Sequence, residues 1–182
     1  MRRVSACAAL VVMAVATGAC ATAMSVSSHV DRSVDFARYK TYDWGPADAL
    51  PTGDPRLDAD PFFKDHLQGE VEKQLAAHGL TLAPAATADL LIHYHAHISE
   101  RLDVSSVDRS YGYGGEVRDY EAGTIVIDLV DARTQKVVWR GWAQDAVKGM
   151  LENQDTMADK VREAVTRMLA QLPAGSTPGG RR

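Results

Sequence analysis

The chain has 182 residues, 46% hydrophobic and 24% charged, the balance of one ordinary globular domain rather than of a disordered or fibrous chain. Lys and Arg number 20 against 24 Asp and Glu, a net charge of −4 without the basic footprint that a phosphate backbone requires, so nucleic acid is not an expected partner. Both cysteines, Cys7 and Cys20, lie at the extreme N-terminus, which leaves neither a disulfide framework nor a thiolate metal cluster for the folded part.

Arg2 and Arg3 precede an uncharged, Ala/Val-rich run from Val4 to Ala16, with the charge step and length of a signal peptide. The run is too short and too rich in small residues for a membrane span. It ends at Thr17-Gly18-Ala19-Cys20, which resembles the lipobox of bacterial lipoproteins, where a cysteine after small residues is lipidated and becomes the new N-terminus. Thr17 departs from the aliphatic residue usual at that place. Secretory cleavage after Ala21-Thr22-Ala23 is the alternative. A lipid gives the only mature cysteine a use, so the expectation is a signal peptide over residues 1–19 and a lipidated Cys20. Removing those 19 residues leaves 163 and takes the net charge from −4 to −6; attachment would then come from acyl chains, not from attraction to anionic lipid. Ala21 is not the Asp that retains lipoproteins at the inner membrane. The lipobox resemblance therefore implies the periplasmic face of the outer membrane, with the soluble periplasm as the alternative.

Residues 20–29 read as the lipidated N-terminus and a polar tether, 30–173 as one domain, and the Gly/Pro/Ser-rich 174–182 as a disordered tail. Val30 to Val34 and Tyr39 to Trp44 read as extended, the second stopped by Gly45-Pro46. After a loop from Gly45 to Asp60, Asp60-Pro61 pairs a capping residue with a proline at the first helical position. Phe63, Leu67, Val71 and Leu75 then recur every four residues and Gly79 stands where a left-handed cap would, predicting a helix from Pro61 to His78. From Ala88 to Leu102 the pattern alternates: Leu90, Ile92, Tyr94, Ala96 and Ile98 share one face, and Leu91, His93, His95 and His97 the other. Ser105 to Gly115, with Tyr111-Gly112-Tyr113-Gly114-Gly115, is too glycine-rich for regular structure. Thr124 to Val130 and Val137 to Ala143 read as an antiparallel hairpin joined by the polar residues Asp131 to Lys136. Met157, Val161, Ala164, Val165, Met168 and Leu172 mark a last amphipathic helix, ending at Pro173. Helices with one apolar stripe each argue for an α+β two-layer sandwich, an antiparallel sheet with both helices packed on one face. Its other face is left half exposed.

Four stretches together resemble a known family. They are Asp35-Phe36-Ala37-Arg38-Tyr39-Lys40-Thr41-Tyr42-Asp43-Trp44, Ala88-Asp89-Leu90-Leu91-Ile92-His93-Tyr94-His95, Glu121 to Ala132, and Val137-Val138-Trp139-Arg140-Gly141. In this order they look like the successive motifs of the domain of unknown function 4136 family, bacterial envelope proteins commonly expected to be lipoproteins. The resemblance implies a two-layer α+β domain and an envelope location. It implies no activity, since the family has no established catalytic or binding residues to carry over.

The residues themselves raise few sites. His93, His95 and His97 at period two would project three imidazoles from one sheet face, a pattern that can hold zinc, copper or nickel. Same-face neighbours on a strand stand about 6.5–7 Å apart, so one metal is reached comfortably by two of them only. Further ligands would have to come from Asp128, Glu100 or His66. A solvated or covered sheet face is the expected reading, and metal binding through these histidines the alternative. Asp128, in an otherwise apolar strand, is expected to pair across the hairpin with Arg140 rather than to act as an acid or base. Ser105, Ser106 and Ser110 stand in no nucleophile-elbow context. Trp139 and Trp142, three residues apart, face opposite sides of a strand, one in the core and one free to stack on a sugar or peptide. Gly112, Gly114 and Gly115 open no helix and so make no phosphate cradle. The expectation is a lipid-anchored, non-enzymatic envelope module without a cofactor, whose partners are the membrane, through its lipid, and an envelope protein or glycan.

Overall fold

The computed structural model describes residues 24–45, 53–102, 119–147 and 149–173. Residues 1–19, for which a signal peptide is expected, Cys20, and the stretches 105–115 and 174–182 lie outside them. Six strands form one sheet: β1 (Ser25–Val30), β2 (Thr41–Trp44), β3 (Thr81–Leu82), β4 (Leu90–Leu102), β5 (Asp119–Asp131) and β6 (Lys136–Ala146). The helices are α1 (Pro55–Asp58), α2 (Pro61–Ala77) and α3 (Gln154–Leu169), with a 3-10 turn at Phe36–Arg38. Across the sheet the order is β1-β6-β5-β4-β2-β3.

Helix α2 begins and ends for the reasons its sequence suggests. The Asp60 carboxylate accepts the backbone N–H groups of Phe62 and Phe63 at 2.9 and 3.3 Å, satisfying donors that have no partner inside the helix. Gly79, at φ +81, takes the left-handed conformation that turns the chain out of it. Its stripe of Phe63, Leu67, Val71 and Leu75 is fully buried. Helix α3, capped by Asn153 onto the Thr156 N–H at 2.9 Å, buries Met157, Val161, Ala164, Val165, Met168 and Leu169. Both stripes face the same side of the sheet, where they join Leu90, Ile92, Ala96, Ile98, Ile127, Leu129 and Trp139 in one core. The α+β two-layer arrangement is as expected, and the hairpin β5–β6 lies inside the sheet, flanked by β4 and β1.

Three details differ from the sequence reading. The sheet is mixed rather than wholly antiparallel: β2 runs parallel to β4, with Tyr42 opposite Leu90, and parallel to β3, with Thr41 opposite Thr81. A strand, a helix and a returning strand make a crossover unit, and a crossover sets its two strands parallel. The chain also enters the sheet earlier than its polar composition suggests. β1 spans Ser25 to Val30 and pairs with β6 from Ser25 opposite Gln144 to Val30 opposite Trp139, taking up residues read as tether, while Asp31 to Val34 form a turn. Finally, the segment before Asp60 contains α1, capped by Asp54 onto the Arg56 N–H at 2.9 Å.

β6 carries the most demanding packing. Leu129 is opposite Trp139 but Val130 is opposite Val137, so Val138 is an extra residue, and this bulge lets Val138 and Trp139 both be buried. The Trp139 indole lies along its own strand over Gly141, where a Cβ would sit 2.3 Å from the ring. Trp139 is wholly buried, so the ring has nowhere to move. Gly141→Ala should therefore cost about 1–3 kcal/mol, the usual penalty of overpacking a dense core, read as a lower denaturation midpoint. An unchanged midpoint would show that the indole does not lie there.

Candidate functional site

The face of the sheet turned away from the helices presents His93, His95 and His97 on β4, as their alternation requires. Their neighbours on β5 are Asp128, Val126 and Thr124, and beyond these on β6 come Arg140, Trp142 and Gln144. Asp128 and Arg140 pair as expected, in a two-pronged contact with both N–O distances at 2.6 Å. Gln144 donates to the Thr124 hydroxyl at 3.1 Å. Trp139 is buried and Trp142 is 37% exposed, the opposed pair the spacing suggests.

Backbone passes close over His93 and His95, while His95 and His97 stay exposed. A Cβ on Gly45 would stand 2.5 Å from the His93 ring, and one on Gly53, at φ +87, 2.4 Å from the His95 ring. The imidazoles occupy the space a side chain would take at both places, and the positive φ of Gly53 favours glycine there besides. Nδ1 of His97 lies 3.4 Å from the Gly53 carbonyl oxygen, and Nε2 of His93 is buried without a hydrogen-bond partner among the described residues. Of the further ligands considered, Asp128 is held by Arg140. His66 sits on α2, across the core, and Glu100 follows on β4 at the opposite parity. Among the described residues no three His, Cys, Asp or Glu side chains come together as a metal would need.

A second polar centre, not singled out from the sequence, lies at the end of the sheet where β5 turns into β6. Asp131 is 2% exposed, and its carboxylate accepts from the Tyr39 hydroxyl at 2.8 Å, the Arg133 N–H at 3.0 Å and the Thr134 N–H at 2.8 Å. Arg38 completes it with an ion pair to the same carboxylate and a 2.9 Å bond to the Tyr39 oxygen. Beside it, Asp89 accepts from the backbone of Lys40 at 2.8 Å and of Thr41 at 3.0 Å, while its own carbonyl oxygen receives the Ala132 N–H at 2.9 Å. An open cleft with Arg38 and Arg133 on its walls lies above this cluster. Asp131 two and three residues before Arg133 and Thr134 is an Asx-turn pattern that the sequence does display. That Tyr39 and Arg38 would arrive on the same carboxylate from more than ninety residues away is a tertiary fact.

The cluster draws together polar residues from three of the four stretches that carried the family resemblance, and the fourth supplies Trp139 over Gly141. A scan against family profiles returns the domain of unknown function DUF4136 over residues 26–174. The chain belongs to that family. A search of curated proteins finds no match. Among solved structures, the DUF4136 domain here is similar to a DUF4136 family protein from Bacteroides thetaiotaomicron, with TM-score 0.53 and 15% identity over 84% of this chain and 97% of that one. It is similar also to a PDZ domain protein from Parabacteroides distasonis, with TM-score 0.53 and 18% identity over 87% of this chain and 37% of that one. A PelC dodecamer subunit from Paraburkholderia phytofirmans matches with TM-score 0.49 and 12% identity over 81% of this chain and 95% of that one. At these identities the likeness to the first two is one of fold.

Burial opposes ionisation of Asp131 more strongly than any other single influence. The bonds from Thr134, Tyr39 and Arg133 together outweigh it, and the carboxyl is held down to about 2 from an ordinary 3.8. A carboxylate depressed in the folded state stabilises fully above its unfolded value and loses that contribution as pH falls through the folded one. The domain should therefore lose stability between about pH 4 and pH 2. Asp131→Asn should flatten that part of the profile and cost about 2 kcal/mol at neutral pH, as expected for charged hydrogen bonds removed from a buried site. Denaturation midpoints of the two proteins from pH 2 to pH 7 check this; parallel profiles would remove Asp131 as the titrating group.

Proposed function

We propose that this DUF4136 protein is exported, held at a membrane by lipid on Cys20, and acts there as a non-enzymatic structural or binding module of the cell envelope. The observation that carries the reading is the N-terminal sequence: an Arg pair, an apolar run, and small residues ending at the only cysteine of the mature chain. The interior of the domain supports it from another side. The carboxylates of Asp89 and Asp131 are engaged in bonds that tie neighbouring segments together, and that of Asp128 is paired with Arg140. No helix among the described residues is long and apolar enough to cross a membrane, so the attachment proposed is the acyl chains, several of which make stable what one would leave marginal. The partner proposed beyond the membrane is an envelope protein or glycan.

Cys20→Ala should shift the protein from the detergent-extracted membrane fraction to the soluble periplasm, and mass spectrometry of the intact mature chain should find an acylated N-terminus at Cys20. An unmodified N-terminus at Met24 would establish ordinary secretory cleavage and remove the anchor.

A further inference from the structure

We propose that two copies of this chain associate through β1, the two strands pairing antiparallel about a two-fold axis at Ser28 so that two six-stranded sheets become one. The proposal does not involve Cys20 and is independent of the anchor.

The two edges of the sheet are finished differently. β3, at one edge, is two residues long and Pro84 follows it closely; shortness and proline are ordinary protections of an edge strand. β1, at the other edge, has six residues, Ser25-Val26-Ser27-Ser28-His29-Val30, with no Lys, Arg, Asp, Glu or Pro and no bulge in its pairing with β6. Nothing in that strand discourages another from joining it.

The groups it offers follow from the ladder. Asp31 donates its N–H to the Val138 carbonyl oxygen at 2.9 Å, so by the two-residue period of antiparallel pairing His29, Ser27 and Ser25 also turn their backbone groups toward β6. Val26, Ser28 and Val30 turn theirs outward, where no strand among the described residues meets them. In either direction these three read Val-Ser-Val, and the occupant that fits such a palindrome is an antiparallel copy of the same strand. Ser28 then lies opposite the partner's Ser28, and Val26 opposite the partner's Val30. Three pairs of this kind exchange about six hydrogen bonds. Val26 and Val30 are half-buried on the helix side, packed against the core, and the pairing sets one valine against another there. The strand carries no Lys, Arg, Asp or Glu, so the two copies oppose no like charges. The helix layer has room as well. α3 packs over β6 and β1, and with strands about 4.8 Å apart the two copies of α3 fall about 10 Å from each other, the ordinary spacing of packed helices.

The test uses the full chain purified in mild detergent, with its mass read by light scattering that separates protein from detergent. At micromolar concentration the unaltered protein should have twice the mass of one chain. Ser28→Glu and Ser28→Lys each set a charge against its own copy across the axis, so each alone should fall to the mass of one chain. Mixed in equal amounts the two should return to twice that mass, because Glu and Lys then face each other. Ser28→Pro removes an outward N–H and no bond to β6, and it too should fall to the mass of one chain. Circular dichroism spectra that match the unaltered protein establish that the variants are folded. A single-chain mass for the unaltered protein, association that all three variants keep, or a Glu and Lys mixture that stays at the mass of one chain would each overturn the proposal.

Discussion

A single apolar layer holds this domain together, and its geometry is set by the need to fit two helical stripes over a twisted sheet. Phe63, Leu67, Val71 and Leu75 from α2 and Met157, Val161, Val165 and Met168 from α3 are all at most 1% exposed, as are Leu90, Ile92, Ile127, Leu129 and Trp139 beneath them. Full burial of such side chains contributes about 1.5–3 kcal/mol each before the entropy of ordering them is set against it. Nothing on the opposite face has that burden. The outer rows can therefore be polar, with His93 beside Asp128 and Arg140, and the fold tolerates three imidazoles in a line.

The polar groups of the two faces have different energetic weight. Asp128 and Arg140 pair on the outer face with the guanidinium half exposed, and an ion pair so placed contributes little. Asp131 lies at the margin of the core with almost no exposure, and four partners from two parts of the chain converge on it. Removing the Asp131 carboxylate leaves the buried Tyr39 hydroxyl and the N–H groups of the turn without their acceptor, which is more costly than losing a surface pair. The centre fastens the 3-10 turn before β2 to the β5–β6 turn. Asp89, bonded to both Thr41 and Ala132, fastens the start of β4 beside them.

How much was legible in the sequence follows the range of each interaction. The stripe of α2, its Asp60 cap and its Gly79 exit are local, and the chain displays them within the 20 residues from Asp60 to Gly79. The same holds for the alternation of β4 and for the opposed tryptophans. The Asp128–Arg140 pair needed only the hairpin. β1 escaped because Ser25-Val26-Ser27-Ser28 is as polar as a linker and is ordered by β6 alone, a partner the local pattern cannot reveal. The parallel setting of β2 was implicit in a strand-helix-strand order and was hidden by the shortness of β2, four residues. The Arg38–Tyr39–Asp131 centre left only its local half in the sequence, the Asx turn, while the rest depends on how the sheet closes.

That closure bears on how the protein comes to be folded at all. Among the described residues β1 is the first element, and its neighbour in the sheet there is β6, with Ser25 joined to Gln144 and Val30 to Trp139. A contact so distant in sequence carries the full loop-closure entropy of the intervening chain and forms late. Until the residues of β6 are available, β1 has no edge to join. Among the described residues, the strand nearest the N-terminus is thus among the last to be placed, and a chain synthesised in N-to-C order stays without its complete sheet until its final third has followed.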